Sequence, residues 1–239
     1  MTLVHWLEQT QADVPAHNDW LSAGEAIHLS YLRFPKRRAD WRLGRWTAKR
    51  AVAACLNLPE DPQTLAKIEV RAAPSGAPEV FLNNQPSATT ISLSHRSGKA
   101  LCAVVRSPVA IGCDLEWIEL RDDAFVADYF TTQEQTLVAQ SSAADRPRLL
   151  ALLWSGKESA LKAQHVGLRV DARSVVVCPG DLAWDVRRWH RLRACYADNQ
   201  VFHGWWQQAD NFVRTLVSSP PPDLPVLLKS QCFAEAKAA

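Results

Sequence analysis

The chain has 239 residues, 47% of them hydrophobic, and its 27 basic and 25 acidic residues leave a formal charge of +2. That length and apolar content can bury a sizeable core, as one large domain or two compact halves. The near-neutral balance excludes a polycation drawn to nucleic acid or a membrane by bulk charge, so any electrostatic function must come from local clusters.

The N-terminal stretch MTLVHWLEQTQADVP carries Glu8 and lacks both a basic leader and an adequate apolar run, so no secretory signal is expected. From Arg38 to Leu56, Trp41, Ala48, Val52 and Cys55 recur at helical spacing and predict a helix that ends at Asn57-Leu58-Pro59. Arg38, Arg42, Arg45 and Lys49 form a basic stripe along another face of it. Strands are expected at 68–72 and 79–82 about the turn Pro74-Ser75-Gly76-Ala77-Pro78. The alternating Ile91 to His95 and the apolar Leu101 to Val105, joined by Arg96-Ser97-Gly98, read as a hairpin.

Ser107-Pro108 breaks that run and marks the expected boundary between an N-terminal half, 1–107, and a C-terminal half, 108–219. A strand follows from Val109. Helices are expected over 122–139 and 148–165, and strands over 173–178, 193–196 and 212–217. Each half is then helix plus a small antiparallel sheet, an α+β arrangement, and a proline-rich tail, 220–239, wraps the surface or is mobile. Trp205 and Trp206 leave opposite faces of a strand, so one of them serves a second packing layer or a partner. Six scattered cysteines show no CxxC pair and read as reduced packing residues. No apolar run spans a bilayer. The expectation is a cytoplasmic monomer with no nucleic-acid or membrane partner.

Two acidic motifs carry the chemistry. In Ile111-Gly112-Cys113-Asp114-Leu115-Glu116, the carboxylates of Asp114 and Glu116 lie two apart on a strand, leave the same face and can share one cation. Hard oxygen donors at that spacing suit magnesium, which takes one or two carboxylates and completes its shell with water and phosphate oxygens. The second motif, Trp154-Ser155-Gly156-Lys157-Glu158-Ser159-Ala160-Leu161-Lys162, sets Lys157, Glu158 and Lys162 on a helix; taken alone, Glu158 and Lys162 read as an ordinary surface ion pair. Ser94, His95 and Arg96 at a turn offer hydroxyl, imidazole and guanidinium donors that could grip a phosphate. Each feature has a bland reading by itself, and their co-occurrence points to magnesium-assisted transfer of a phosphate-linked group.

These four segments, LRFPKRRADWRLGRWTAKRAV (32–52), SLSHRSG (92–98), IGCDLE (111–116) and WSGKESALKAQHVGL (154–168), stand in the order and spacing of the Sfp-type 4′-phosphopantetheinyl transferases, which the chain resembles over most of its length. The resemblance implies two similar α+β halves about a pseudo-twofold, with coenzyme A in the cleft between them. It implies transfer of the phosphopantetheine arm to a serine of an apo acyl or peptidyl carrier protein, releasing adenosine 3′,5′-bisphosphate. By the same match, Asp114, Glu116 and Glu158 are magnesium ligands, Ser94 and His95 contact coenzyme A phosphate, and Lys157 and Lys162 face the pyrophosphate. Lys36, Arg37, Arg45 and Lys49 are the candidates for holding the 3′-phosphate and adenine. Where family members often have GlyLysPro, this chain has Gly76-Ala77-Pro78. One cationic contact is thus missing, or replaced by Arg71 or Arg96, and weaker coenzyme A binding is expected.

On this reading Glu158 is the general base and Lys162 stabilises or protonates the leaving phosphate. Val166, Leu168, Arg169 and Arg173 offer a mixed apolar and basic face for docking the carrier. Two other readings compete. A magnesium-dependent phosphodiesterase or nucleotide hydrolase would use the same carboxylates with water as nucleophile, and a non-catalytic adaptor would bind acidic partners through the basic helix.

Overall fold

The computed structural model describes residues 2–166, 169–196 and 199–229. The N-terminal part runs β1 (His5–Thr10), α1 (Ala23–Tyr31), α2 (Pro35–Leu56), α3 (Pro62–Ala66), β2 (Ile68–Ala72), β3 (Pro78–Leu82), β4 (Gln85–Arg96) and β5 (Lys99–Val105). The chain then enters β6 (Ala110–Trp117), α4 (Asp123–Tyr129), α5 (Thr132–Gln140), α6 (Arg146–Ala163), β7 (Val175–Pro179), β8 (Trp189–Tyr196), β9 (Val201–Ala209) and β10 (Phe212–Ser219). A final short strand, β11 (Val226–Leu227), returns to pair in parallel with β1. The architecture is α+β, with six α-helices and two sheets among the described residues, ordered β11-β1-β5-β4-β3-β2 and β6-β10-β9-β8-β7. None of the described helices is long and apolar enough to cross a membrane.

Each sheet buries one face under a long helix. Trp46, Ala48 and Val52 of α2 pack with Leu7, Ile91 and Cys102, while Leu149, Leu153 and Leu161 of α6 pack with Val177, Phe202 and Val213. The opposite faces meet each other: Trp6, Leu101 and Ala103 close on Ile111, Cys113, Leu115 and Leu216. The layers therefore run helix, sheet, sheet, helix, and β5, β6 and β10 are covered on both faces. β1, with Trp6 toward one core and Leu7 toward the other, shows no alternation of polarity for a sequence search to find. The layering also places both tryptophans of the 205–206 pair. Trp206 stacks with His190 in the core beneath α6, and Trp205 lies on the other layer, where its indole donates to the Pro222 carbonyl.

Both halves fasten a helix to an edge of their sheet with the same device. Ser22 caps α1 in a capping box with Glu25; Glu25 Oε1 accepts from Val70 N on β2 at 3.1 Å, and Oε2 meets buried Lys49 Nζ at 2.5 Å. Thr131 caps α5 with Glu134; Glu134 Oε1 accepts from Val177 N on β7 at 2.8 Å, and Oε2 meets buried Lys157 Nζ at 2.8 Å. Each carboxylate satisfies a helix N-terminus, a strand N–H and an ammonium at once. The same capping box explains why 122–139 is two helices and not one. Phe130 is extended, its ring fully buried, and Thr131 starts a new helix.

Candidate active site

β6 is the edge of its sheet, and β4 lies beside it without a backbone ladder. Serine hydroxyls fill the seam. Cys113 N donates to Ser92 Oγ at 2.9 Å and Leu115 N donates to Ser94 Oγ at 3.3 Å, while Ser94 Oγ donates to Asp114 Oδ1 at 2.8 Å. An edge strand whose N–H groups are capped in this way needs no further partner strand, and its register against the first sheet sets the height of Asp114.

On the other side, Gly112, Asp114 and Glu116 face α6. A Cβ built on Gly112 would fall 1.8 Å from the Ser159 carbonyl oxygen and 2.9 Å from Ala163 N, so the helix backbone rests directly on this glycine. The first motif thus seats the second. Thr215, opposite Asp114 on β10, locks the arrangement by donating to Ser155 O at 2.8 Å and meeting Ser159 Oγ at 2.6 Å. With the helix so placed, Lys162 Nζ lies 2.7 Å from Asp114 Oδ1 and donates to Cys113 O at 3.2 Å.

The electrostatics are those of a carboxylate cluster short of positive charge. Burial first, and then the neighbouring Asp114 charge, push the Glu116 carboxyl up to about 7 against the opposing pull of Arg96, Arg121 and Lys162. The same two causes raise Glu158. Burial works against the Lys162 ammonium, yet the Asp114, Cys113 and Glu158 charges hold its pKa above the usual lysine value. Asp114 Oδ2, Glu116 Oε2 and Glu158 Oε1 are buried without a hydrogen-bond partner among the described residues, Glu116 Oε2 being faced only by the Arg121 and Arg96 guanidinium groups at 3.5 and 3.8 Å. Orphaned anionic oxygens are costly, and a hard divalent cation would satisfy them. Among the described residues no group of three His, Cys, Asp or Glu side chains is arranged to hold a metal ion, so the three carboxylates are not preformed as a set.

Beside this cluster opens a cavity of about 310 Å³, walled by Arg45, Arg71 and the 75–78 turn on one side and by Lys162 and His165 on the other. Among the described residues no carboxylate lines it. Lys162 therefore stands between a cationic hollow and the acidic cluster.

Residues 110–213 match the family model described as the 4′-phosphopantetheinyl transferase superfamily. The matched span holds both acidic motifs and the strands that seat them. No curated protein matches the chain.

Against this superfamily span, the expected site residues divide into three groups. Asp114, Glu116 and Lys162 are brought together as described, Glu158 lies near enough to feel the Asp114 and Lys162 charges, and Arg45 reaches the cavity. Lys36, Arg37 and His95 line a second, more open hollow with Phe34 and Trp41. Lys49 and Lys157 are corrections: both ammonium groups are fully buried in the device that ties helix to sheet. Lys157 Nζ donates to the Ala172 and Val175 carbonyls, and burial lowers its pKa. It faces the core and not a pyrophosphate. Ser94 is a correction too, since its hydroxyl is engaged by Asp114 and Leu115 in the seam.

With Lys49 tied to Glu25, three of the four residues of the basic stripe on α2 are structural. Arg38 donates to the Leu29 and Leu32 carbonyls and Arg42 to Pro15 O, pinning the segments that precede the helix. Of the two replacements considered for the missing lysine, Arg71 lines the cavity, whereas Arg96 turns away to Glu119 at 2.7 Å and Glu116 at 3.8 Å. Of the docking candidates, Val166 packs against the C-terminal core, Leu168 lies outside the described residues, and Arg173 is neutralised by Asp171 at 2.8 Å. The sequence reading missed Ser92, Gly112 and Thr215, which seat the motifs, and Arg121, which lies 3.5 Å from Glu116. The period-two spacing of Ser92 with Ser94 was the one available signal for the seam.

Proposed function

We propose that the chain transfers the 4′-phosphopantetheine arm of coenzyme A to a serine of an apo acyl or peptidyl carrier protein. The observation that carries this reading is the adjacency of a carboxylate cluster with unsatisfied oxygens to a cationic cavity walled by both halves. A bisphosphorylated cofactor needs the second and its diphosphate needs the first. Asp114, Glu116 and Glu158 would hold magnesium, which when bound neutralises charge on the diphosphate.

The chain's own groups account for the remaining steps. The carrier serine Oγ forms a bond to the β-phosphorus as the bond to the adenosine-bearing phosphate breaks. Glu158, whose pKa is raised by burial and the Asp114 charge and which is therefore a stronger base than an ordinary carboxylate, takes the serine proton. Lys162, held by Asp114, donates to the leaving phosphate, and adenosine 3′,5′-bisphosphate departs. Arg45 and Arg71 bind the nucleotide end. Val166 and Arg173 belong to the carrier-docking rim, with the Arg173 charge shared with Asp171.

Incubation with magnesium, coenzyme A and a panel of apo carriers, read as carrier mass, tests the reading. A carrier that gains the phosphopantetheine arm supports transfer. Cleavage of coenzyme A with no carrier modified points to the hydrolase instead, and binding of acidic partners unaffected by chelator points to the adaptor.

A further inference from the structure

Arg169 differs from the other docking candidates in what it touches. It follows Lys162 and His165, both of which line the cavity from the C-terminal half. Its guanidinium crosses to the N-terminal half and donates to the Ser75 carbonyl. A Cβ built on Gly76 would lie 4.0 Å from Arg169 Nη2, so one end of the guanidinium lies against the turn that forms the opposite wall. That turn, Pro74 to Pro78, carries no cation of its own.

Charge separates Arg169 from its neighbour. Arg173 spends its fork on Asp171, both groups being exposed, whereas no carboxylate among the described residues lies within ion-pairing distance of Arg169. A guanidinium presents five N–H donors in a planar fork shaped for phosphate, and one carbonyl engages only part of it. Arg169 does not itself line the hollow that holds Arg45, Arg71 and Lys162, but it comes from the C-terminal half and touches Ser75 and Gly76, which do line it, so an unpaired arginine lies at the rim with the chemistry of a phosphate clamp.

We propose that Arg169 closes the mouth of this cavity and supplies to a phosphate of coenzyme A the cationic contact that the 74–78 turn lacks. The proposal rests on the transferase reading of the cavity. It assigns Arg169 to cofactor binding and removes it from the carrier-docking surface.

Calorimetric titration with coenzyme A and magnesium, followed by separate KM measurements for cofactor and carrier, tests the assignment. Loss of one charge-assisted contact predicts roughly ten- to a hundredfold weaker coenzyme A binding in Arg169→Ala. The KM for coenzyme A rises with it and the KM for carrier does not. Arg173→Ala leaves coenzyme A affinity within about twofold. A cation returned to the turn, as Ala77→Lys in the Arg169→Ala background, recovers part of the lost affinity, which a purely structural role would not allow. Unchanged coenzyme A affinity in Arg169→Ala, or a rise confined to the carrier KM, overturns the proposal. Wild-type protein that binds no coenzyme A overturns the reading of the cavity itself, which is a separate result.

Discussion

Replacing Gly112 by alanine tests the contact that joins the two acidic motifs. The added methyl would sit 1.8 Å from the Ser159 carbonyl oxygen and 2.8 Å from its carbon, and both are helix backbone that no rotamer change can move. To restore ordinary contact near 3.5 Å, α6 must retreat by about 1.5 Å. Overpacking of this kind costs about 1–3 kcal/mol or somewhat more, which for a chain of this size lowers Tm by roughly 3–10 °C. The functional loss is larger. Glu158 and Lys162 ride on the displaced turns of α6, and a misplacement of about 1 Å costs on the order of a hundredfold in rate. Differential scanning fluorimetry and the carrier-mass assay read the two effects. Gly44 on α2 provides the control: nothing lies within 4 Å of a Cβ there, so Gly44→Ala should leave transfer intact and raise stability by up to about 1 kcal/mol. A Gly112→Ala variant with wild-type Tm and turnover would refute the seating of one motif by the other.

Three further outcomes follow from the same geometry. Lys157→Met should destabilise by about 3–5 kcal/mol in urea titration, because it strands the buried Glu134 carboxylate; the doubly substituted Lys157→Met, Glu134→Gln protein should recover much of that, and a folded Lys157 variant with a selective rise in coenzyme A KM would restore the pyrophosphate role denied to it here. Asp114→Asn and Glu158→Gln should each lower turnover by at least about a hundredfold while circular dichroism shows the fold retained, and near-normal carrier modification by either would remove that residue from the chemistry. In metal-free protein the folded-state Glu116 pKa of about 7 stands above the ordinary 4.5. The stability associated with its proton is fully present below pH 4.5 and is lost as pH rises through 7, by about 3 kcal/mol in all. Melting curves from pH 5 to 8 should therefore fall for the wild type and flatten for Glu116→Gln; a wild-type curve as flat as the variant's would contradict the raised pKa.

Much of this site was legible in the sequence because its two motifs are local. The spacing of Asp114 and Glu116 put both on one face of a strand, and the turn of α6 placed Glu158 and Lys162 together before any tertiary contact was known. What stayed hidden depends on contacts far apart in the chain. Lys157 and Glu158 are adjacent letters of one motif, yet the helix sends one ammonium into the core toward Glu134 and leaves the carboxylate at the site. The stripe Arg38, Arg42, Arg45 and Lys49 has a single helical period, but only Arg45 reaches the cavity, because Arg38 and Arg42 meet backbone carbonyls and Lys49 meets Glu25. Strand β1 escaped notice because Trp6 and Leu7 enter different cores and leave no alternation, and β9 was read only as a strand through Trp205 and Trp206, without its bounds. The break at Thr131 could have been read from its capping-box glutamate three residues on.

The central claim is that carboxylates from β6 and α6 hold a cation against the diphosphate of a bound thiol cofactor, with Lys162 between them and the cavity. A crystal structure grown with coenzyme A and manganese in place of magnesium, with the ion located by its anomalous signal, tests it directly. The account predicts one ion bound to oxygens of Asp114 and at least one of Glu116 and Glu158, sharing phosphate oxygens of a cofactor whose nucleotide lies toward Arg45 and Arg71. A cofactor seated elsewhere, or an ion remote from these carboxylates, would contradict it.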